Sequence, residues 1–196
     1  MGTRGVLAVR KNGQDKGQYN HFDSYPDGLG ADVVKFLKET SITELDEIFD
    51  RIKLVKEEGK PTKEQIETCK RWANKSVSNQ SLDDWYCLLY KAQGNLDAYK
   101  QGLVYMLDAE DFICDSLFCE YGYVINLDDL TLEFLVGFQR EPQAGNRYGE
   151  EISYTTDNGK NYYPCKLLLT FPLIGIPEDA VKQMNDAVSI EFAESA

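Results

Sequence analysis

The chain has no run of apolar residues approaching the roughly 18 that a membrane-spanning helix requires, so no such span is expected in its 196 residues. It has a single histidine, His21, and its five cysteines (Cys69, Cys87, Cys114, Cys119 and Cys165) include no CxxC pair. A structural zinc site needs closely spaced sulfur and imidazole ligands, so no metal site is expected, and nothing calls for a cofactor. The opening Met1-Gly2-Thr3-Arg4-Gly5 brings in charge before any apolar stretch, so no secretory leader is read there. Val6 stands where myristoylation of Gly2 would want Ser or Thr. An odd set of cysteines without a leader points to free thiols in a reducing cytoplasm. Internal repeats and low-complexity tracts are also missing.

Positive charge is scarce. Lys and Arg number 21 against 33 Asp and Glu, a net charge of −12. From Gln101 to Gln139 there is no Lys or Arg, while Asp108, Glu110, Asp111, Asp115, Glu120, Asp128, Asp129 and Glu133 all fall there. Residues 1–20 are the exception, with a net of +3. Phosphates repel such a protein, so direct nucleic-acid binding is not expected. The excess acid serves solubility; the sharper alternative is an acidic face that mimics nucleic acid in a partner's groove.

What is present reads as an α+β chain. Gly5–Arg10 and Lys16–Phe22 flank Asn12-Gly13, a strong hairpin signal. Apolar residues then recur at helical spacing: Val33, Val34, Phe36 and Leu37, then Leu45, Ile48, Phe49, Ile52 and Val55 behind a Ser41/Glu44 capping box. A third helix follows Pro61, a fourth starts at Ser81–Asp84, and helix resumes from Asn95 to Leu107. Beyond residue 118 the pattern turns to strands: Phe118–Asn126, Thr131–Phe138, Glu151–Thr155 and Tyr162–Phe171, the last two around the turn Asp157–Lys160. A short helix starts at Pro177. Strands joined by hairpins predict an antiparallel sheet. The expectation is one domain over 1–196, with the sheet built from about 1–25 and 118–172 and a helical insertion at about 31–117 packed on it.

The densest segment is Tyr19-Asn20-His21-Phe22-Asp23-Ser24-Tyr25-Pro26-Asp27-Gly28-Leu29-Gly30. A triad of His21, Asp23 and Ser24 is awkward locally, because His21 and Asp23 share a face of an extended chain and Ser24 points away. No GxSxG elbow surrounds Ser24. Asp23 and Ser24 suit backbone bonding in a turn. Gly28-Leu29-Gly30 precedes a helix but lacks GxGxxG spacing and a following Lys, and Asp27 and Asp32 oppose an anion there. Tyr121, Tyr123, Tyr148, Tyr154, Tyr162 and Tyr163 gather in the C-terminal half, where tyrosine lines pockets or interfaces or simply fills half-buried sheet positions.

Two segments resemble an uncharacterised family of phage, viral and microbial proteins. One is Gly2-Thr3-Arg4-Gly5 followed, after a hairpin, by the motif at 19–30. The other is Tyr123-Val-Ile-Asn-Leu-Asp128 running into Leu132-Glu133-Phe134 and Gly137-Phe138. The resemblance covers both ends of the chain. It implies an accessory protein of phage or mobile-element type and carries no catalytic residue across. A second similarity, to N-terminal-nucleophile hydrolases, rests on Thr3 in the first strand and Asn20 and Asp23 on leaving the second. It implies amide-bond hydrolysis, with Thr3 as nucleophile and Asn20, His21 and Asp23 in support. Such enzymes use the nucleophile's own freed α-amine as base. Removal of Met1 alone leaves Gly2 ahead of Thr3, so that chemistry requires Gly2 to be cleaved as well.

The resulting expectation is a cytoplasmic, non-enzymatic binding protein. It would antagonise host defence by contacting a host protein or capturing a small ligand, with no membrane or direct nucleic-acid partner. Arg4, Asn20, His21, Asp23, Ser24 and Tyr25 are the candidate contact residues. The hydrolase and the acidic nucleic-acid mimic stand as alternatives.

Overall fold

The computed structural model describes residues 2–194; Met1, Ser195 and Ala196, which a domain over 1–196 takes in, lie outside the described residues. Strands β1 (Gly5–Lys11) and β2 (Gln14–Asn20) form the expected hairpin. Asn12 and Gly13 both have positive φ, 53° and 74°, the pair of left-handed residues whose turn twist matches the flanking strands. A tight coil at Pro26–Gly30 leads into α1 (Ala31–Lys38) and α2 (Ile42–Arg51). The capping box is formed: Ser41 Oγ accepts from the Glu44 N–H, and the Glu44 carboxylate accepts from the Ser41 N–H. Then come β3 (Lys53–Val55), α3 (Lys63–Cys69), α4 (Trp85–Leu89), α5 (Leu96–Lys100) and β4 (Tyr105–Leu107). The C-terminal part holds β5 (Tyr121–Asn126), β6 (Thr131–Val136), β7 (Tyr154–Thr155), β8 (Asn161–Tyr162), β9 (Lys166–Pro172) and α6 (Ala180–Glu194).

The main sheet runs β2-β1-β5-β6-β9, so the N-terminal hairpin does share one sheet with β5, β6 and β9, while β7 and β8 pair apart from it as a two-stranded sheet. The sheet is mixed, not purely antiparallel. β1 and β5 pair in parallel, Gly5 opposite Tyr121 and Arg10 opposite Asn126, while every other neighbour in this sheet is antiparallel. The reason is that the helical segment between β2 and β5 returns the chain to the end of the sheet where β1 began. A parallel pair requires such a long crossover.

Local expectations change in several places. The helix expected through Leu107 is α5 alone; it stops at Gln101–Gly102, and the chain then extends so that β4 pairs in parallel with β3. Pairing with β4 also claims Val55 from the end of α2, which stops at Arg51. The single strand expected from Tyr162 to Phe171 is two, β8 and β9, parted at Tyr163–Cys165 around Pro164, whose ring nitrogen cannot donate to a ladder. The C-terminal helix is long, at 15 residues.

Period-2 alternation sends the strand residues to two faces. Leu7, Val9, Tyr123, Ile125, Leu132, Phe134 and Phe171 pack against α1, α2, α4, α5 and α6 through residues such as Val33, Phe36, Ile48, Leu88, Tyr99 and Met184. The helical middle therefore does pack on one face. On the other face Val6, Ala8, Val124 and Leu135 meet Ile113, Cys119 and Cys165 from the connecting segments. All five cysteines are free thiols, and burial raises Cys69 and Cys114 to about 11. No helix among the described residues is long and apolar enough to cross a membrane.

Candidate binding cleft at the hairpin exit

Where β2 ends, the chain folds back on the residues that precede β1. The Ser24 N–H donates to Thr3 O at 3.2 Å, and the Tyr123 hydroxyl donates to Ser24 O at 2.9 Å. Asp23 has φ 54°, a left-handed conformation that short polar residues tolerate. Its carbonyl accepts from the Leu29 N–H at 2.8 Å. At Gly28 a Cβ would lie 2.1 Å from that same carbonyl oxygen, so only glycine lets the coil close. Asn20 holds the corner from the other side: its amide donates to Phe22 O at 2.5 Å and to the buried Ser24 Oγ at 2.8 Å. Its Oδ1 lies where a Cβ on Gly94 would fall, at 2.1 Å.

Beside this corner lies a cleft of about 630 Å³ lined by Gly2, Thr3, Arg4, His21, Leu117, Glu120 and Phe138. Four pieces of chain meet there: the approach to β1, the exit of β2, the turn before β5 and the exit of β6. Backbone bonds lock them together. The Glu120 N–H donates to Arg4 O at 3.0 Å, the Arg4 N–H to Glu120 Oε1 at 3.1 Å, and the Phe138 N–H to Ser116 O at 2.6 Å. Phe138, at φ 60°, presents a ring that is 40% exposed, and Phe22 beside Gly2 is 54% exposed. The Arg4 guanidinium lies 4.8 Å from the centre of the Phe118 ring. Tyr19 Oη and His21 Nδ1 are 2.6 Å apart. Burial raises the Tyr19 pKa, so its hydroxyl keeps its proton and is free to donate.

The candidate residues thus divide. Thr3, Arg4 and His21 are brought together in the cleft. Asn20, Asp23, Ser24 and Tyr25 are not part of its lining. Asn20 and Ser24 bond each other, and Asp23 sits beside the Tyr25 hydroxyl, where its negative charge raises the phenol's pKa. Of the four groups in the hydrolase arrangement, only Thr3 and His21 share the cleft. Leu117, Glu120 and Phe138 were not picked out by sequence reasoning. The Gly137-Phe138 pair in the second motif was the one signal that pointed their way.

A second polar cluster, also missed, lies on the face of the sheet away from the helices. Glu133 on β6 is 4% exposed and takes a two-pronged ion pair from Arg147, whose Nη1 donates to Oε1 at 2.9 Å and Nη2 to Oε2. Asn126 Nδ2 donates to the same Oε1 at 2.7 Å. Arg147 also reaches the Tyr148 hydroxyl at 2.7 Å, and that hydroxyl donates to Asp15 Oδ2 at 2.7 Å. Arg10 closes the set on Asp15 Oδ1 at 2.7 Å. Burial, and then the Asp15 charge, push the Tyr148 phenol up. Burial works against the Arg147 charge, but its bonds to Glu133 and Tyr148 outweigh that and hold its pKa above the ordinary value.

Most carboxylates of the acid-rich segment accept hydrogen bonds from the chain, although only Glu133 is buried. Glu133 and Glu120 are bound as above, and Asp128 accepts the Asn12 and Gly13 N–H groups at 2.6 and 2.9 Å. Asp129 accepts from Asn126, and Asp108 from the Glu110 N–H. No group of three or more His, Cys, Asp or Glu residues placed to hold a metal ion occurs among the described residues. Compared with family models, with curated proteins and with solved structures, the chain matches none.

Proposed function

We propose that the protein is a non-enzymatic binding module, of phage or mobile-element accessory type, that captures a small ligand in the cleft at the hairpin exit and so interferes with a host process. The observation that carries this reading is the cleft itself. It is concave, within the roughly 300–1,000 Å³ typical of ligand sites, and lined by the polar side chains of Thr3, Arg4, His21 and Glu120 with Leu117 and Phe138 as its apolar wall. Its walls are preformed, because backbone bonds between segments far apart in sequence fix them. A mimic of nucleic acid needs a dense outward-facing row of acid, whereas of the eight carboxylates in the Gln101–Gln139 segment only Asp111, Asp128 and Asp129 are exposed, which favours the ligand reading. The host-defence role rests on the family resemblance of the two end segments. The test is equilibrium dialysis of host-cell small-molecule extract against the protein, followed by mass spectrometry. A compound should be enriched by the native chain and lost with Thr3→Trp, which fills the cleft from a segment outside the helices and strands. No enrichment, or enrichment that Thr3→Trp leaves intact, would overturn the assignment.

A further inference from the structure

Polar side chains inside a folded protein normally find partners, and a donor left without one beside a cavity marks where a ligand atom belongs. Four of the six arginines are hydrogen-bonded within the chain through their side chains, while Arg140, like Arg4, lies over an aromatic ring instead, that of Tyr162 at 4.4 Å, but away from this cleft. Arg10 donates to Asp15, Arg51 to the Tyr99 and Leu103 carbonyls, Arg71 to the Gln101 carbonyl and Arg147 to Glu133. The Arg4 guanidinium donates to no described residue and has no carboxylate of the described residues within ion-pair distance; it lies over the Phe118 ring. Packing on an aromatic face holds such a guanidinium in place while its edge stays free.

His21 adds a second donor. In the tautomer whose Nδ1 accepts from the Tyr19 hydroxyl the ring proton sits on Nε2, and Nε2 bonds no described residue. The Thr3 hydroxyl, on the same cleft, also bonds no described residue. Opposing them is Glu120, the one carboxylate in the lining, with Oε1 already accepting the Arg4 N–H. Leu117 and Phe138 supply the apolar wall.

We infer that the cleft recognises a small organic anion, a carboxylate or phosphate carried on an apolar body, with the anion on Arg4, His21 and Thr3 and the apolar part against Leu117 and Phe138. This rests on the proposed ligand-binding function and names the chemistry of its ligand. Guanidinium fits both carboxylate and phosphate oxygens edge-on, and such charge-assisted bonds are about twice as strong as neutral ones.

Phenyl phosphate, benzoate and neutral benzyl alcohol, titrated into the isotope-labelled full-length chain and followed by NMR, test the inference. One of the two anions should shift the His21 ring protons and the Thr3, Arg4 and Leu117 amides saturably, at least about tenfold more tightly than benzyl alcohol, and Arg4→Gln should weaken it about tenfold or more. Arg4→Lys, which keeps the charge but loses the planar fork, should fall between. Tighter phenyl phosphate assigns a phosphate ligand and tighter benzoate a carboxylate; either order upholds the inference. It is overturned if no probe binds, if benzyl alcohol binds as tightly as the anions, or if Arg4→Gln binds as the native chain does with an unchanged fold. A neutral compound captured from the extract would leave the binding function standing and remove the anion.

Discussion

The two polar clusters of this molecule are built from the same residue types and are opposite in kind. Around Glu133 every strong donor and acceptor meets another group of the chain: Arg147 on Glu133, Tyr148 between Arg147 and Asp15, Arg10 on Asp15. Around His21 the donors face a cavity instead. The first arrangement fastens the segment that carries Arg147 and Tyr148 onto the sheet. The second costs the fold little and leaves recognition open. Polar density by itself therefore distinguishes nothing; what separates scaffold from site is whether the groups are satisfied within the chain.

The comparison is most easily broken at Glu133. Replacing it by Ala leaves Arg147 half-buried without its partner, and the expected cost is about 3 kcal/mol, read as a lower urea midpoint. Should Glu133→Ala unfold at the native midpoint, the cluster is not a fastening. Next comes the far side of the corner. Gly94 has φ 65° and leaves no room for a Cβ beside Asn20. Gly94→Ala is expected to cost about 1–3 kcal/mol in the same assay. Tyr148→Phe, which removes one hydroxyl serving Arg147 and Asp15, should cost about 1–2 kcal/mol.

A smaller effect is expected from Asp128, which ties the β5–β6 turn to the β1–β2 turn. The Gly13 and Asn12 N–H groups hold its carboxyl below the ordinary value of 3.8. A depressed folded-state pKa stabilises above the unfolded value and loses that contribution as pH falls through the folded one. The fall in unfolding midpoint from about pH 5 to about pH 2 should therefore be shallower in Asp128→Asn than in the native chain. Least of all is expected from Arg4→Gln, whose stability should stay within about 0.5 kcal/mol of native. A large loss there would make Arg4 part of the scaffold and erase the contrast.

Local chemistry was legible in the sequence, and distant pairing was not. Asn12-Gly13 announced its hairpin and Ser41 with Glu44 its helix start, because each is a contract among residues a few positions apart. Asn20, Asp23, Ser24 and Gly28 could be read as a corner for the same reason. The parallel β1–β5 pairing could not, since strand direction depends on where the long helical segment returns the chain. Nor could the cleft, whose walls at Arg4 and Glu120 are 116 residues apart. Glu133 did leave a trace: a lone charge between Leu132 and Phe134, on a strand buried on both faces, needs a partner. No periodicity in the following loop identified that partner as Arg147.

The parallel β1–β5 pair also has a consequence in time. The β1–β2 hairpin is held by local contacts and can form early, on the microsecond scale typical of hairpins. Its inner edge has no partner until β5 has been synthesised and has found it, and that search closes a very long loop. Until then Gly5–Lys11 presents an uncovered, mostly apolar strand edge, the kind that pairs with other chains. Ribosome-released fragments ending before Tyr121 should therefore self-associate, and the growing chain depends on its helical middle, or on a chaperone, to shield that edge until the sheet can close.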